Sequence, residues 1–412
     1  MGVKIPIEST GDFFAFLIAQ NKKLEPDQTP QLKRPPILAV RRITDENPLE
    51  SIFSRLQQFT SISLAAKLVL RRADYEKVPL SAEVVASKAA GIAFSMRNAL
   101  DYFSFGPTDL LNKKILGLYY GTMAFAFAEM LASPTGPTDL AAVEAMTKSG
   151  HGLFAISGAT DSFEDLQVGV LATGFLPQWL GFLGHDLSHY PKKKAKSMAE
   201  IGASPTEMIC TLRDLFSSMP EIDDLFSEVF TGAPRWIIPV YDSHSNRRSS
   251  LYGAAKEVHS TYGRFIDRSG LIDVEQIRCA GWPLAEVQKV ESENDSQGNV
   301  FRARVDHTGH KVWWSVLPTH SSPFGNRISL LLPTLGGMTE YRTIAAATLY
   351  ALSIMVRYMP SSWRRIEGGD QDKYLALVNA SLRVWERVLP QEFLQSIAGE
   401  KVVTTQPDSW LS

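Results

Sequence analysis

The chain has 412 residues, a formal net charge of -2, 21% charged and 44% hydrophobic side chains. That length suits two or three domains at roughly 150 residues each, with apolar content for a sizeable core. The charge balance excludes a surface given over wholly to nucleic acid and leaves room for a local basic patch. Cys210 and Cys279 are the only cysteines, which excludes a disulfide framework and fits a reducing cytoplasm.

The first residues, "MGVKIPIESTGDFF", lack a basic stretch followed by an apolar core, so no secretory leader is expected. Met1-Gly2 begins like a myristoylation signal, but Pro6 stands where Ser or Thr is required. Residues 1–47 read as an irregular lead-in, with one short helix at "FFAFLIAQ" and the proline-rich "TPQLKRPPILAVRR". Residues 48–235 read as a helical region. It opens with "NPLESIFSRLQQFTSISLAAKLVLRR" as one helix, with Asn47 as N-cap, Pro48 first and Glu50 third.

The strongest local signal begins at Ser81. Val85, Ala89, Ile92, Met96, Ala99 and Phe103 recur at helical spacing, and the alanines among them permit close approach of another helix. Gly106-Pro107 breaks the chain, and "TDLLNKKILGLYYGTMAFAFAEMLA" follows as a helix apolar on nearly every side. Lys114 and Glu129 leave 14 uncharged residues between them, against about 20 for a bilayer span. The pair is expected to be a helical hairpin whose second arm is a core helix.

Beyond it, "SGHGLFAISG" is punctuated by glycines, and "LATGFLPQWLGFLGHDLSHYPKKKAK" ends in a basic run. "SPTEMICTLRDLFSSMPEIDDLFSEVF" suits two short amphipathic helices parted at Pro220. Residues 236–330 read as a mixed region opened by a strand at "RWIIPVYDS". In it "AEVQKVESEN", "NVFRARV" and "HKVWWSVLP" alternate at period two and suggest a three-stranded antiparallel meander near 283–318. On such a strand Trp313 and Trp314 would face opposite ways. Residues 331–412 return to helices, expected to pack back on the 81–132 hairpin. The fold class is mainly α, α+β overall, with the meander inserted between the helical halves.

"LYALSIMVRYMPSSWRRI" is the most informative stretch. At 100° per residue Ala345, Leu349, Leu352, Val356 and Met359 share one face, while Ile354, Ala347 and Tyr358 fall on the far side. The helix is therefore expected to be almost wholly buried and to stop at Pro360. Its single polar strip is Ala346, Tyr350, Ser353 and Arg357. Arg357 either complements the helix dipole and reaches water, or sits inside a bundle, paired with a carboxylate, and presents a site. Arg97 and Asp101 lie four apart on the face of their helix opposite its apolar stripe. They are either a surface pair or a source of Arg357's partner.

Other chemistry is weaker. His151 lies between glycines, either packing locally or holding backbone close to a ligand. Lys192, Lys193 and Lys194 form a solvated loop or a phosphate contact without sequence reading. "HDLSH", His185 to His189, imitates a helical zinc motif, but Gly184 and Pro191 favour a loop and Asp186 is short for the task. Arg302/His307 and Arg304/His310 match the spacing of an arginine–histidine nuclease motif, on what reads as a strand running into a glycine turn. No phosphate-cradling P-loop, dinucleotide fingerprint or hydrolase elbow occurs, and no cofactor or metal is expected.

Three blocks in order resemble the YaaC-like family, a bacterial group without an established activity. They are the hairpin with "AFSMRNALDYF" and "ILGLYYGTMAFAFAEM", then "SGHGLF", then "LYALSIMVRYMPSSWRRI" followed by "RVLPQEFLQSIAGE". The resemblance implies a cytoplasmic, mainly helical protein. Its hairpin is also similar to HEPN-type bundles, which include ribonucleases and phage-defence toxins. The expected function is a helical scaffold or sensor that binds a protein or nucleic acid, or a second copy of itself, in bacterial defence or stress. The alternative is a HEPN-like ribonuclease with an atypical polar cluster of Arg97, Asp101, Tyr119, Tyr120 and Arg357, and a small-molecule enzyme using the His151 loop is a third class.

Overall fold

The computed structural model describes residues 39–405, apart from 107, 161, 203–205, 251–258, 292–297, 311 and 323–327. The helix expected at "FFAFLIAQ" lies outside the described residues. The lead-in expected to be irregular contains a strand, β1 (Ala39–Thr44).

The single helix expected after it is two, α1 (Pro48–Gln58) and α2 (Ile62–Glu76). At the break Thr60 turns both its N–H and its hydroxyl onto the Gln57 carbonyl, at 3.1 and 2.7 Å. Asn47 does occupy the N-cap position of α1, but its side chain makes no cap bond.

The hairpin is α3 (Ala82–Tyr102) and α4 (Leu111–Ala132). All six stripe residues of the first arm are buried. Two glycines on α4 set the closeness of the packing. A Cβ on Gly117 would lie 2.7 Å from the Phe105 ring, and one on Gly121 would lie 2.5 Å from the Phe103 ring. Any side chain there would wedge the arms apart. The most apolar stretch of α4 is 78% buried, so it is a core helix, as its charge spacing implied.

Residues 140–235, expected to be helical, also hold a small antiparallel sheet. It is made of β2 (Leu153–Ile156), β3 (Gln167–Val170) and β4 (Ile209–Thr211), with α5 (Phe175–Phe182) between the last two.

The mixed region forms a six-stranded antiparallel sheet in the order β7-β8-β6-β5-β10-β9. Its strands are β5 (Trp236–Tyr241), β6 (Ser260–Asp267), β7 (Leu284–Val290), β8 (Asn299–Asp306), β9 (Thr319–Ser321) and β10 (Ile328–Leu331). Two of the three meander strands are therefore real. The third is a single 3-10 turn, Trp313–Val316, in which Trp313 is buried and Trp314 is exposed. That in-and-out pair imitated strand alternation. The sheet covers a second core built from Ile237, Phe265, Trp282, Phe301 and Val305.

The last helices are α6 (Tyr341–Tyr358), α7 (Pro360–Gly368) and α8 (Lys373–Ala398). Pro360 both ends α6 and opens α7, where its missing N–H costs nothing. Helices α6 and α8 pack on α4, through Tyr119 against Tyr350 at 5.9 Å and Phe125 stacked on Phe393 at 5.1 Å. Finally β11 (Glu400–Thr405) pairs in parallel with β1, from Ala39 opposite Glu400 to Thr44 opposite Thr405.

Candidate functional site

The polar strip of α6 is intact. Ala346, Tyr350 and Ser353 are buried on it, and Arg357 is half-buried at its end. The Arg357 guanidinium folds back along its own helix. Nε donates to the Ser353 carbonyl and Nη2 to the Ser353 hydroxyl, both at 3.1 Å, and Nη1 reaches Tyr120 Oη at 3.4 Å. Tyr350 donates to the Leu153 carbonyl at 2.9 Å. Tyr119 Oη and His151 Nδ1 are 2.8 Å apart, and both rings lie against Tyr350.

Among the described residues no carboxylate pairs with Arg357. The burial expected for the far side of α6 holds at Ala347, is partial at Ile354 and fails at Tyr358, which is 67% exposed. The Arg357 guanidinium lies 5.0 Å from the Tyr358 ring.

Four of the six candidates, Tyr119, Tyr120, His151 and Arg357, thus meet in one cluster. Arg97 and Asp101 do not. Both are exposed, because the face opposite the apolar stripe of α3 looks into water. Arg97 donates to the Thr60 carbonyl at 2.8 Å and lies beside the Phe94 ring. Asp101 makes no ion pair with Arg97 or Arg357. In the cluster burial pushes the Tyr119 phenol well above its ordinary value, with Tyr350 and Tyr120 adding to the effect. Burial, and then the Arg357 charge, pull the His151 imidazole down. Both therefore stay uncharged at neutral pH, and Arg357 carries the only full charge of the group.

The glycines around His151 have a structural reason. Gly150 and Gly152 take positive φ angles of 89° and 78°, a region open to glycine without penalty. A Cβ on Gly152 would lie 2.2 Å from Pro177. That close approach is to α5 of the same chain. Phe175 and Leu176 donate their N–H groups to the carbonyls of Gly150 and His151 at 2.9 and 3.0 Å. That bracing holds His151 in place.

The other motifs resolve locally. Lys192, Lys193 and Lys194 are exposed in a loop. "HDLSH" is also a loop. His185 points to Glu340, with Nε2 2.9 Å from Oε2, while His189 is exposed. His307 is buried and bonded to Thr261 at 2.9 Å, and Arg304 is tied to Glu286 at 3.0 Å.

A second cluster had escaped the sequence. A cavity of about 610 Å³ is lined by Glu129, Glu340, Arg342, Glu392 and Lys401 among others. Arg342, in the first turn of α6, holds Glu129 of α4 with two donors, Nη2 to Oε1 at 2.6 Å and Nε to Oε2 at 3.2 Å. Trp179 Nε1 adds a third bond to Glu129 at 3.0 Å. Nearby, His320 on β9 bridges Glu221, at 2.6 Å, and Glu392 of α8, at 2.9 Å, under the stacked ring of Tyr341. Burial opposes a charge on His320, but the two carboxylates outweigh it and lift its pKa to about 9. The one sequence signal was Glu129, the sole acid in an otherwise apolar core helix. Nothing in the sequence pointed to His320 or Glu221.

A helical core around one buried hairpin arm, a six-stranded sheet beside it and two polar clusters on one helix define a mainly helical α+β protein. The chain matches the YaaC-like Protein family over residues 57–397, a span that takes in the Arg357 cluster and every cavity residue named above except Lys401, and it belongs to that family. No curated protein and no solved structure matches it.

Proposed function

We propose that this YaaC-like protein is a cytoplasmic binding module, a helical scaffold or sensor, that takes single-stranded nucleic acid in bacterial defence or stress. The observation that carries the reading is Arg357, a guanidinium without a carboxylate partner among the described residues. Tyrosines surround it. Tyr102 and Tyr358 are 44% and 67% exposed, and the Tyr102 ring lies 5.8 Å from that of Tyr120. A phosphate beside the guanidinium and bases stacked on the phenol rings is the usual chemistry of single-strand binding. Lys192, Lys193 and Lys194 supply a further exposed basic stretch.

Labelled single-stranded RNA and DNA incubated with the purified chain are expected to shift in a gel and to emerge uncleaved. Arg357→Ala should abolish most of the shift, and alanines at Lys192–Lys194 should weaken it. Absence of any shift sinks the nucleic-acid reading and leaves a protein partner or a second copy.

A HEPN-like ribonuclease is the second reading, favoured by the uncharged His151 in the Arg357 cluster. With Nδ1–H donating to Tyr119, Nε2 is free to take the proton of a ribose 2′-hydroxyl. The 2′-oxygen then attacks phosphorus and expels the 5′-oxygen, which takes its proton from water, while Arg357 balances the charge on the phosphoryl oxygens. Its signature is RNA cut to 2′,3′-cyclic phosphates, with cleavage lost in both His151→Ala and Arg357→Ala.

A further inference from the structure

On the six-stranded sheet four residues face one another in a row: Val240 on β5, Arg264 on β6, Arg302 on β8 and Gln288 on β7. Their strand neighbours Phe265, Phe301 and Ala303 point the other way, into the second core, so the row lies on the outer face. Directly opposed side chains stand about 4.5–5.5 Å apart at Cβ, and like charges so placed destabilise a sheet. Arg264 and Arg302 are such a pair, and the row holds no acid between or beside them.

The acids nearest to the row are engaged elsewhere. Glu286 accepts from Tyr262 Oη at 2.7 Å and from Arg304 Nε at 3.0 Å. Asp242 accepts from the Ser245 hydroxyl at 2.6 Å and from the N–H groups of His244 and Ser245. Asp306 accepts from the N–H and the hydroxyl of Thr308 at 3.0 and 2.8 Å. These carboxylates match the three arginines in total charge, and Asp242 and Glu286 act on Arg264 and Arg302 at longer range. They give neither one an acceptor. Among the described residues Arg264 and Arg302 make no hydrogen bond and no ion pair. Both are half-buried. Arg302 lies 5.8 Å from the Tyr262 ring centroid, with Nε buried and unpartnered, so its terminal amines carry its remaining bonding capacity.

We infer that Arg264 and Arg302 together bind the phosphate group of a small phosphate monoester. A guanidinium presents parallel donors that fit a pair of oxygens. A carboxylate has two oxygens, and one guanidinium takes both. A phosphate monoester has three terminal oxygens and about two negative charges near neutral pH. It therefore accepts from both arginines at once and lies between two like charges that the sheet holds together at a cost. The site does not depend on what Arg357 binds.

Isothermal titration of the full chain with phenyl phosphate tests this, with benzoate as a carboxylate on the same ring. Saturable one-to-one binding of phenyl phosphate is expected, at least about tenfold tighter than that of benzoate. Arg264→Gln removes one of the two guanidinium groups and should weaken phenyl phosphate by at least about tenfold. Gln288→Glu keeps both arginines and sets an acid opposite Arg302, and it should weaken binding as well. Gln288 is exposed on an edge strand, so this second variant leaves the core untouched. Circular dichroism identifies a variant that has failed to fold, and the other then serves. No saturable binding of phenyl phosphate, equal binding of benzoate, or phenyl phosphate binding unchanged in every variant that folds overturns the proposal.

Discussion

Helix α6 carries two arginines about four turns apart, and they have opposite surroundings. Arg342, at the start, is 13% exposed and clamps a carboxylate that is 4% exposed. Arg357, at the end, is half-buried, bonds to a hydroxyl, a carbonyl and a phenol, and lies over the Tyr358 ring. The same side chain on the same element is thus ion-paired in one place and, among the described residues, without a carboxylate in the other. What separates them is the neighbouring helix. At one end α4 presents Glu129, and at the other it presents Tyr119 and Tyr120. Desolvating a guanidinium demands a partner, and only the Arg342 end supplies an acid.

The largest expected effect tests that contrast directly. Glu129→Ala removes the carboxylate and leaves Arg342 and Trp179 Nε1 buried without it. Breaking a buried pair this way costs about 3–5 kcal/mol, to be read as a lowered midpoint in urea denaturation. A loss below about 1 kcal/mol would show that the Arg342 pair behaves like a surface salt bridge, and the comparison would collapse.

A second effect lies on the same side of the molecule and depends on pH. His320 carries a folded-state pKa of about 9, above the roughly 6.5 of an unfolded chain. A raised base contributes stability that is full below about pH 6.5 and is lost as pH climbs through 9. The total is on the order of 3 kcal/mol at about 1.4 kcal/mol per unit. The loss loosens the tie between β9 and α8 that His320 makes through Glu392. The wild type's stability to denaturant should therefore fall between pH 6 and pH 9.5, and His320→Gln should flatten that part of the profile. Parallel profiles for the two proteins would rule out the charged bridge.

The two arginines also divide what the sequence could tell. Helix α6, its stop at Pro360 and its polar strip were legible, because all depend on residues within a few turns of one another. The hairpin was legible for the same reason, through the spacing of Val85 to Phe103. Glu129 and Arg342 stand far apart in sequence, and periodicity has no means of pairing them. The strand β6 escaped for a different cause. Its inward positions are Thr261, Gly263, Phe265 and Asp267, so a buried face offered only one large apolar side chain to the eye. Asp267 is buried there because its carboxylate accepts from the backbone N–H groups of Ser269 and Ile272. Trp313-Trp314 misled in the other direction, since a single 3-10 turn buries one indole and exposes the next much as a strand does.

The smallest expected effect on stability sharpens the comparison most. Arg357 makes its bonds within its own helix and to one phenol, at a half-buried position, and leaves no buried charge behind when removed. Arg357→Ala should cost no more than about 1 kcal/mol in urea denaturation, within the range of exposed polar contacts. Tyr120 keeps its ring contacts with Tyr102 and Tyr119 in that variant, so little rearrangement follows. The same substitution is the one expected to abolish most nucleic-acid binding. A protein that stays folded and loses its ligand marks Arg357 as a charge held for a partner. A protein that unfolds as readily as Glu129→Ala would make both ends of α6 structural and remove the basis for the binding site.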